Sequence, residues 1–315
     1  MSIENRTAQD AKEQTATEHP MRRATDQLPP FSVVVPCFNE FGCIGSTVDD
    51  LSKITSGRGA EIIIVDDGSS DGSRELLEEM ERSNDFQGLR VILHPTNLGY
   101  GAAVKTGVRR SQAEIVVIID ADGTYPCDRI PDLVDAASEA DMVIGSRTAG
   151  TRGQPVLRRF AKSILRAHCS WLVGEKIPDM NSGLRVFRKS VVEQFLKILP
   201  DGFSLTTTLT VAMMRNRYTV VFEPIAYSER VGRSKIRPLR DTLSFTQLIV
   251  RTGMYFAPLR VLTPLVVLLS LAFATSLCYD IVMLNNLTDK TIILLLFAMN
   301  TALFGLLADM IDKRS

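Results

Sequence analysis

The chain is poor in the residues that redox and metal enzymes rely on. Its 315 residues include three histidines, five cysteines and one tryptophan. His19, His94 and His168 have no metal-ligand spacing, and no Ser/His/Asp nucleophile arrangement is visible. Cys37, Cys43, Cys127, Cys169 and Cys278 contain no CxxC pair, and their odd number builds no disulfide framework. The soluble part therefore reads as cytosolic and reduced. Net charge is also missing: 36 basic and 36 acidic residues cancel. That balance gives no footprint for nucleic acid. Residues 1–30 have no apolar h-region, which excludes a signal peptide, and no periodic apolar face, so a disordered tail is expected there.

What is present is unevenly distributed. Short β-branched runs occur at FSVVVP (31–36), EIIIVDD (61–67), RVILH (90–94), EIVVIID (114–120) and DMVIGS (141–146). Helical patterns near 41–56, 73–83, 100–112 and 128–139 separate them. Near-continuous Val/Ile strands alternating with helices predict a mostly parallel α/β sheet covered on both faces. Ligands of such sheets sit at the carboxyl ends of the strands. Three of those ends carry polar or acidic clusters: Pro36–Glu40, Asp66–Asp71 and Asp120–Asp122. They are expected to meet in one crevice.

Beyond residue 150 the pattern loosens. A helix is predicted over about 155–173, in a stretch carrying Arg152, Arg158, Arg159, Lys162 and Arg166. DMNSGLRVFRK (179–189), FSLTTTLTVAMM (203–214) and a last strand, YTVVFEP (218–224), follow before RVGRSK (230–235). The glycines of NLGYGAAVKTG (97–107) fit neither a P-loop nor a dinucleotide fingerprint and read as a tight turn feeding helix packing.

Long apolar runs are confined to the C-terminal end. Residues 261–284 and 291–308 are each about long enough to cross a hydrocarbon core of roughly 30 Å. The short link NNLTDK makes them an antiparallel hairpin. Arg251, Arg260, Lys313 and Arg314 flank one side and only Lys290 lies on the other, which places both termini and the main domain in the cytoplasm. Residues 237–258 have apolar groups at helical spacing and are expected to form a juxtamembrane amphipathic helix. Asn300, uncommon in lipid, is expected to face the partner helix.

The chemistry concentrates at Asp120-Ala121-Asp122. Two carboxylates one residue apart at a strand end need a counter-charge, and a divalent cation held together with a diphosphate supplies one. A DxD pair alone is a weak signal, since aspartates also cap turns. Here VVVPCFNE and VDDGSSDGS precede it in order, each at a strand end. The combination is strong.

With these motifs the chain resembles a family 2 glycosyltransferase of GT-A fold, and more narrowly the dolichyl-phosphate mannose synthase and bactoprenyl-phosphate glucosyltransferase branch. The resemblance spans about 31–236, and the two-span hairpin is similar to that of bacterial membrane-anchored members. It implies that Pro36, Phe38 and Glu40 line the nucleoside pocket, and that Val65 and Asp67 hold the base. Asp120, Ala121 and Asp122 would contact the diphosphate, and Asp120 and Asp122 a Mg²⁺ or Mn²⁺, with Asp122 the firmest ligand. Many relatives carry Gln two residues beyond the second Asp; this chain carries Thr124.

The resemblance also implies that Arg147 reaches phosphate and that Arg159 and Ser163, which share one helix face, help it hold the acceptor phosphate. A helix lying against anionic headgroups is the other reading of Arg158, Lys162 and Arg166. RVGRSK is one residue shorter than the family pattern; Arg230 and Lys235 would close over the diphosphate, with Arg233 an alternative to Arg230. Asp179, Asn181, Ser182 and Gly183 would line the site. The implied partners are a nucleotide sugar (UDP ahead of GDP), a polyprenyl phosphate, the membrane, and further copies of the chain. The implied location is a bacterial-type plasma membrane. The implied reaction is transfer of a hexose-type sugar with inversion. Two rivals are weaker: processive hydroxyl-directed synthases carry Q-x-x-R-W, whereas the only tryptophan, Trp171, lies in HCSW; a non-catalytic scaffold would be expected to lose charges from DxD or RSK.

Overall fold

The computed structural model describes residues 28–83, 85–147, 156–227, 253–255 and 257–312, with the backbone alone over 156–162 and at 312. Seven strands form one sheet: β1 (Phe31–Cys37), β2 (Glu61–Asp66), β3 (Leu89–Leu93), β4 (Ile115–Ile118), β5 (Met142–Arg147), β6 (Arg185–Arg188) and β7 (Val220–Ile225). Their order is β3-β2-β1-β4-β6-β5-β7. Every pair is parallel except those of β6, which runs antiparallel to β4 and β5.

Strand β6 carries no strand-like signal in the sequence, because RVFR is four residues long and has an arginine at each end. Its direction matters for function. An antiparallel strand brings its entry, residues 179–184, to the edge where the parallel strands end. The crevice is therefore lined by strand exits and by one strand entry.

Alternation along the strands builds a core on each face. Val33 and Val35 pack with Ile44, Val48 and Leu51 of α1 (Phe41–Thr55), Leu77 of α2 (Ser73–Ser83) and Leu133 of α4 (Ile130–Ala136). Val34 faces the other way, with Val104 and Val108 of α3 (Tyr100–Arg110), Leu165 and Cys169 of α5 (Val156–Val173) and Leu209 of α7 (Leu205–Arg215). Each such side chain contributes roughly 1.5–3 kcal/mol by burial. A short α6 (Lys189–Glu193) follows β6. The buried thiols of Cys37 and Cys169 are pushed up to about 12 by burial, so neither is a nucleophile.

Two long apolar helices, α8 (Pro258–Tyr279) and α9 (Asp289–Asp312), pack as an antiparallel hairpin. They are long and apolar enough to cross a membrane, and only 6% and 17% of their apolar windows are buried, so they are not core helices of the α/β domain. A π-type turn, Asp280–Leu284, ends the first span. There the Asp280 carboxylate accepts from Thr288 N (2.8 Å), Thr288 Oγ1 (2.6 Å) and Thr291 Oγ1 (2.7 Å), capping α9 from the opposite helix.

The expectation that Asn300 faces the partner helix is corrected. The buried residues of α9 are Thr291, Ala298 and Gly305, a seven-residue spacing that defines the seam, and Asn300 is exposed. At about 100° per residue it lies some 200° around from Ala298. The expected tail and most of the expected juxtamembrane helix, with Arg230, Arg233 and Lys235, fall outside the described residues.

Candidate active site

The first wall is built by the loops after β1 and β2, which are stitched together. Asn39, at φ 53°, accepts from Ser70 N through Oδ1 (2.7 Å), and its own N–H donates to Ser69 Oγ (2.9 Å). Glu40 N donates to Ser73 Oγ (3.0 Å) and Phe41 N to Asp71 Oδ2 (3.1 Å). Asp66 is fully buried and paired with Arg74 at 2.6 Å. Most of VDDGSSDGS is thus a bracket holding Asn39–Phe41 in place. Phe38 and Glu40 are half-buried at the rim, whereas Pro36 and Val65 are buried in packing, Val65 beside Ile63 and Ala103.

Asp67 is 2% exposed and heavily engaged. Its Oδ1 meets His94 Nδ1 at 2.8 Å and accepts from Leu98 N at 2.9 Å, while Oδ2 accepts from Gly99 N at 2.8 Å. Gly99 turns at φ 105°, and a Cβ there would lie 2.5 Å from Asp201 O. The glycines of this loop therefore serve a turn and close helix packing, as the sequence suggested. Three of the roughly four lone-pair positions of the Asp67 carboxylate are taken by this loop. One is left for a ring N–H.

The acidic pair lies beside the second wall. Asp122 Oδ1 accepts from Thr124 Oγ1 (2.6 Å) and Thr124 N (3.2 Å). Thr124 is buried and orients this carboxylate. Asp120 Oδ1 accepts from Tyr100 OH at 3.0 Å. A Cβ on Gly183 would come within 2.2 Å of Asp120 Oδ2, so only glycine admits the carboxylate at this point. Gly183 N in turn donates to Tyr125 OH at 2.7 Å. Burial first, and the Asp120 charge second, push the Tyr100 and Tyr125 phenols up, which keeps both neutral. Ala121 is buried, and its carbonyl accepts from Thr47 Oγ1 at 3.3 Å.

Arginines dominate the far side. Arg147, at the end of β5, forms a bidentate pair with Asp179: Nε to Oδ2 at 2.7 Å and Nη2 to Oδ1 at 2.8 Å. Its guanidinium also lies 5.3 Å from the Tyr227 ring centroid. Burial opposes the charge on Arg147, but the Asp179 hydrogen bonds outweigh it and hold the guanidinium protonated. The same balance keeps Asp179 below the usual carboxylate range. Arg185 is fully buried, and among the described residues no carboxylate is bonded to it. It donates to Ser182 O (2.8 Å), Met180 O (2.7 Å) and Thr210 Oγ1 (2.7 Å), and burial lowers its pKa to about 10. This side chain fixes the 179–183 turn. Its sequence signal was an arginine next to apolar residues in GLRVF.

Helix α5 links the α/β domain to the hairpin. It starts beyond β5, and 18 residues at 1.5 Å each carry it about 27 Å. At its far end the carbonyls of Trp171 and Leu172 accept from Arg260 Nη1 in the first turn of α8, at 2.9 and 3.0 Å. Ser163 is exposed on this helix; the Arg159 side chain lies outside the described residues.

No group of three or more His, Cys, Asp or Glu side chains able to hold a metal exists among the described residues. The acidic pair still suits a hard cation that takes most of its ligands from diphosphate and water, as Mg²⁺ and Mn²⁺ do.

Comparison with known proteins agrees with this geometry. Residues 32–196 match the profile Glycosyl transferase family 2, and residues 257–313 match the profile GtrB C-terminal hairpin. Dolichyl-phosphate hexose transferase of Haloferax volcanii is 32% identical over 222 residues, covering 70% of this chain and 92% of that protein. Polyprenol monophosphomannose synthase of Mycolicibacterium smegmatis is 30% identical, over 75% of this chain and 89% of its own length. Undecaprenyl-phosphate 4-deoxy-4-formamido-L-arabinose transferase of Pseudomonas aeruginosa is 31% identical over 74% of this chain and 67% of its own. The fold matches glucosyl-3-phosphoglycerate synthase of Mycobacterium tuberculosis, solved with Mn²⁺, UDP-glucose and glycerol 3-phosphate, at TM-score 0.53 and 20% identity, over 74% of this chain and 85% of that one. A profile match over more than half of the chain, with its acidic pair and arginines at the sheet edge where such folds bind ligands, makes this chain a member of glycosyl transferase family 2.

Proposed function

We propose that the chain transfers a hexose-type sugar from a nucleotide sugar, UDP ahead of GDP, to a polyprenyl phosphate with inversion at the anomeric carbon. One observation carries this reading: Arg260, in the first turn of the apolar hairpin, donates to the carbonyls of Trp171 and Leu172 at the end of α5, a helix whose Leu165 and Cys169 pack into the core of the sheet that bears the crevice. The α/β domain is therefore tied directly to the head of the hairpin, which suits an acceptor carried in lipid. The named relatives act on dolichyl, undecaprenyl or polyprenol phosphates, which supports the same acceptor class.

The phosphate monoester has a second pKa near 6 and is largely a dianion at neutral pH, so it needs little general-base help. An oxygen of this phosphate forms the bond to the anomeric carbon as the bond to the nucleoside diphosphate breaks. Arg147, held charged and oriented by Asp179, steers the acceptor phosphate together with Arg159 and Ser163. Phe38, Glu40 and Asp67 seat the nucleoside, with Pro36 and Val65 behind them. Asp122, with Asp120 and the Ala121 backbone beside it, would hold the diphosphate together with a Mg²⁺ or Mn²⁺, and Arg230 and Lys235 would contribute positive charge to the diphosphate. When bound, the cation neutralises charge on the departing diphosphate. The main domain and both termini belong in the cytoplasm, at a bacterial-type plasma membrane.

Incubating purified protein with labelled UDP- or GDP-sugars, Mn²⁺ and polyprenyl phosphate should move label into the lipid phase. Label found only in water-soluble glycans would point to a hydroxyl acceptor, and no label with any donor would defeat the catalytic reading.

A further inference from the structure

One aromatic ring stands in water beside the acidic pair, on a loop built to keep it there. Phe203 is 85% exposed, more than any other large apolar side chain among the described residues. Its ring lies on that of Tyr100, with centroids 5.5 Å apart and planes 19° from parallel. Tyr100 OH donates to Asp120 Oδ1 at 3.0 Å, so the stack ends on the carboxylate. The loop before Phe203 is locked against α3. Asp201 O accepts from Ala102 N at 3.1 Å, and the buried Lys105 donates through Nζ to Asp201 Oδ1 at 2.8 Å and to Leu199 O. A Cβ on Gly101 would lie 2.3 Å from Pro200 O, which leaves the loop no slack. On the other flank, Thr207 Oγ1 in the first turn of α7 donates to Asn181 Oδ1 at 2.7 Å. A phenyl ring this exposed adds little to folding, since burial is what stabilises. A scattered apolar residue on the surface needs no explanation, but one anchored rigidly at the mouth of a polar crevice does.

We propose that Phe203 is the platform on which the transferred sugar rests, its open ring face meeting the C–H groups on one side of the pyranose. This role rests on the nucleotide-sugar donor proposed above. Two features select the sugar over the lipid chain of the acceptor. First, Tyr100 ties the ring to Asp120, the carboxylate placed beside the diphosphate, and the group joined to that diphosphate is the sugar. Second, the elements flanking the ring lead to Asp120 and to Asn181, both polar. An isoprene unit would find no apolar trough between them. A pyranose is amphipathic, with hydroxyls round its edge and C–H bonds directed from its faces. The electron-rich face of an aromatic ring attracts those C–H groups, while the edge meets the polar neighbours. Such a contact touches neither nucleoside nor acceptor, so it should act on the sugar part of donor affinity alone.

The test compares a donor with its own sugar-free product, on the full-length protein in detergent micelles with Mn²⁺. Calorimetry measures binding of UDP-glucose, UDP-galactose, UDP-N-acetylglucosamine and GDP-mannose, and of UDP and GDP. For the sugar nucleotide that wild type binds most tightly, Phe203→Ala should weaken binding about tenfold, and that of the free diphosphate by less than about twofold. Phe203→Trp should restore most of the loss, and both variants should keep the wild-type unfolding temperature because the ring is exposed. Equal weakening of sugar nucleotide and free diphosphate overturns the proposal, since the ring would then serve the nucleotide or the shape of the loop. Unchanged binding of the sugar nucleotide also overturns it, and a raised KM for polyprenyl phosphate in that case gives the ring to the lipid. A wild type that binds no nucleotide at all would bring down the donor reading too, which separates that failure from one confined to Phe203.

Discussion

The two halves of the crevice use charge in opposite ways. On the β1–β2 side the carboxylates are consumed by structure: Asp66 by Arg74, Asp67 by the amides of Leu98 and Gly99, and Asp71 by Phe41 and Ser73. These acids shape loops. On the β5–β6 side the cations carry the polarity: Arg147 is braced by Asp179, and Arg185 lies buried under the 179–183 turn. Asp120 and Asp122 sit between, the first pressed against Gly183 and the second oriented by Thr124. A scaffolding acid should fail through binding and stability, and a charge that meets the reacting groups should fail through turnover.

The largest effect is expected at the centre. Asp122→Ala should lower turnover by about 10³-fold while the protein still inserts in membranes, because it removes the preorganised partner of the diphosphate and cation. Near-normal turnover would end the metal assignment. Gly183→Ala sharpens the point without touching a charge. Its new Cβ would collide with Asp120 at 2.2 Å, so turnover should fall by about 10²-fold with little change in thermal unfolding.

Next comes the braced arginine. Arg147→Lys keeps the charge but loses the two-pronged bond to Asp179. It should cut kcat/KM for the polyprenyl phosphate by about 10²-fold, roughly 2.7 kcal/mol, with donor KM nearly unchanged. A change confined to donor KM would move Arg147 to the other half of the crevice.

How much of this could be read from the residues differs between the halves. The parallel strands and their loops were legible, because VVVPCFNE, VDDGSSDGS and Asp120–Asp122 each follow an apolar run that only a buried strand explains. The hairpin was legible for the same reason. Strand β6 was not, since its four residues are too short for periodicity, and its pairing depends on neighbours distant in sequence. The Arg147–Asp179 pair joins residues 32 positions apart, a contact no local pattern encodes. Asn300 was placed on the wrong side because polarity alone was weighed; the spacing of Thr291, Ala298 and Gly305 held the answer.

A scaffolding acid provides the counter-test. Asp67→Asn leaves the size of the side chain unchanged but replaces one acceptor oxygen with an amide that cannot accept from both His94 and Leu98, or from Gly99. Donor KM should rise about tenfold, roughly 1.4 kcal/mol, with kcat within a factor of a few. A collapse of kcat with unchanged donor KM would show that the carboxylate does more than hold the loop.

The smallest effect, and the most direct comparison of the halves, lies in acid. The Arg147 hydrogen bonds outweigh burial and hold Asp179 below its ordinary value near 3.9. A carboxylate whose folded pKa is depressed adds stability at pH above its unfolded value, and loses it as pH falls through the folded one. Wild-type unfolding temperature should therefore drop as pH is lowered from about 4, and Asp179→Asn should be destabilised at neutral pH but flatter across that window. Asp71 is also depressed: burial, the largest single cause, raises it, and the bonds from Ser73 and Phe41 together prevail. It is exposed, so solvent screens its contribution, and Asp71→Asn should flatten the acid limb less than Asp179→Asn does. Equal flattening would mean that the two walls are braced alike, and that the acceptor side owes its charge order to something other than the Arg147–Asp179 pair.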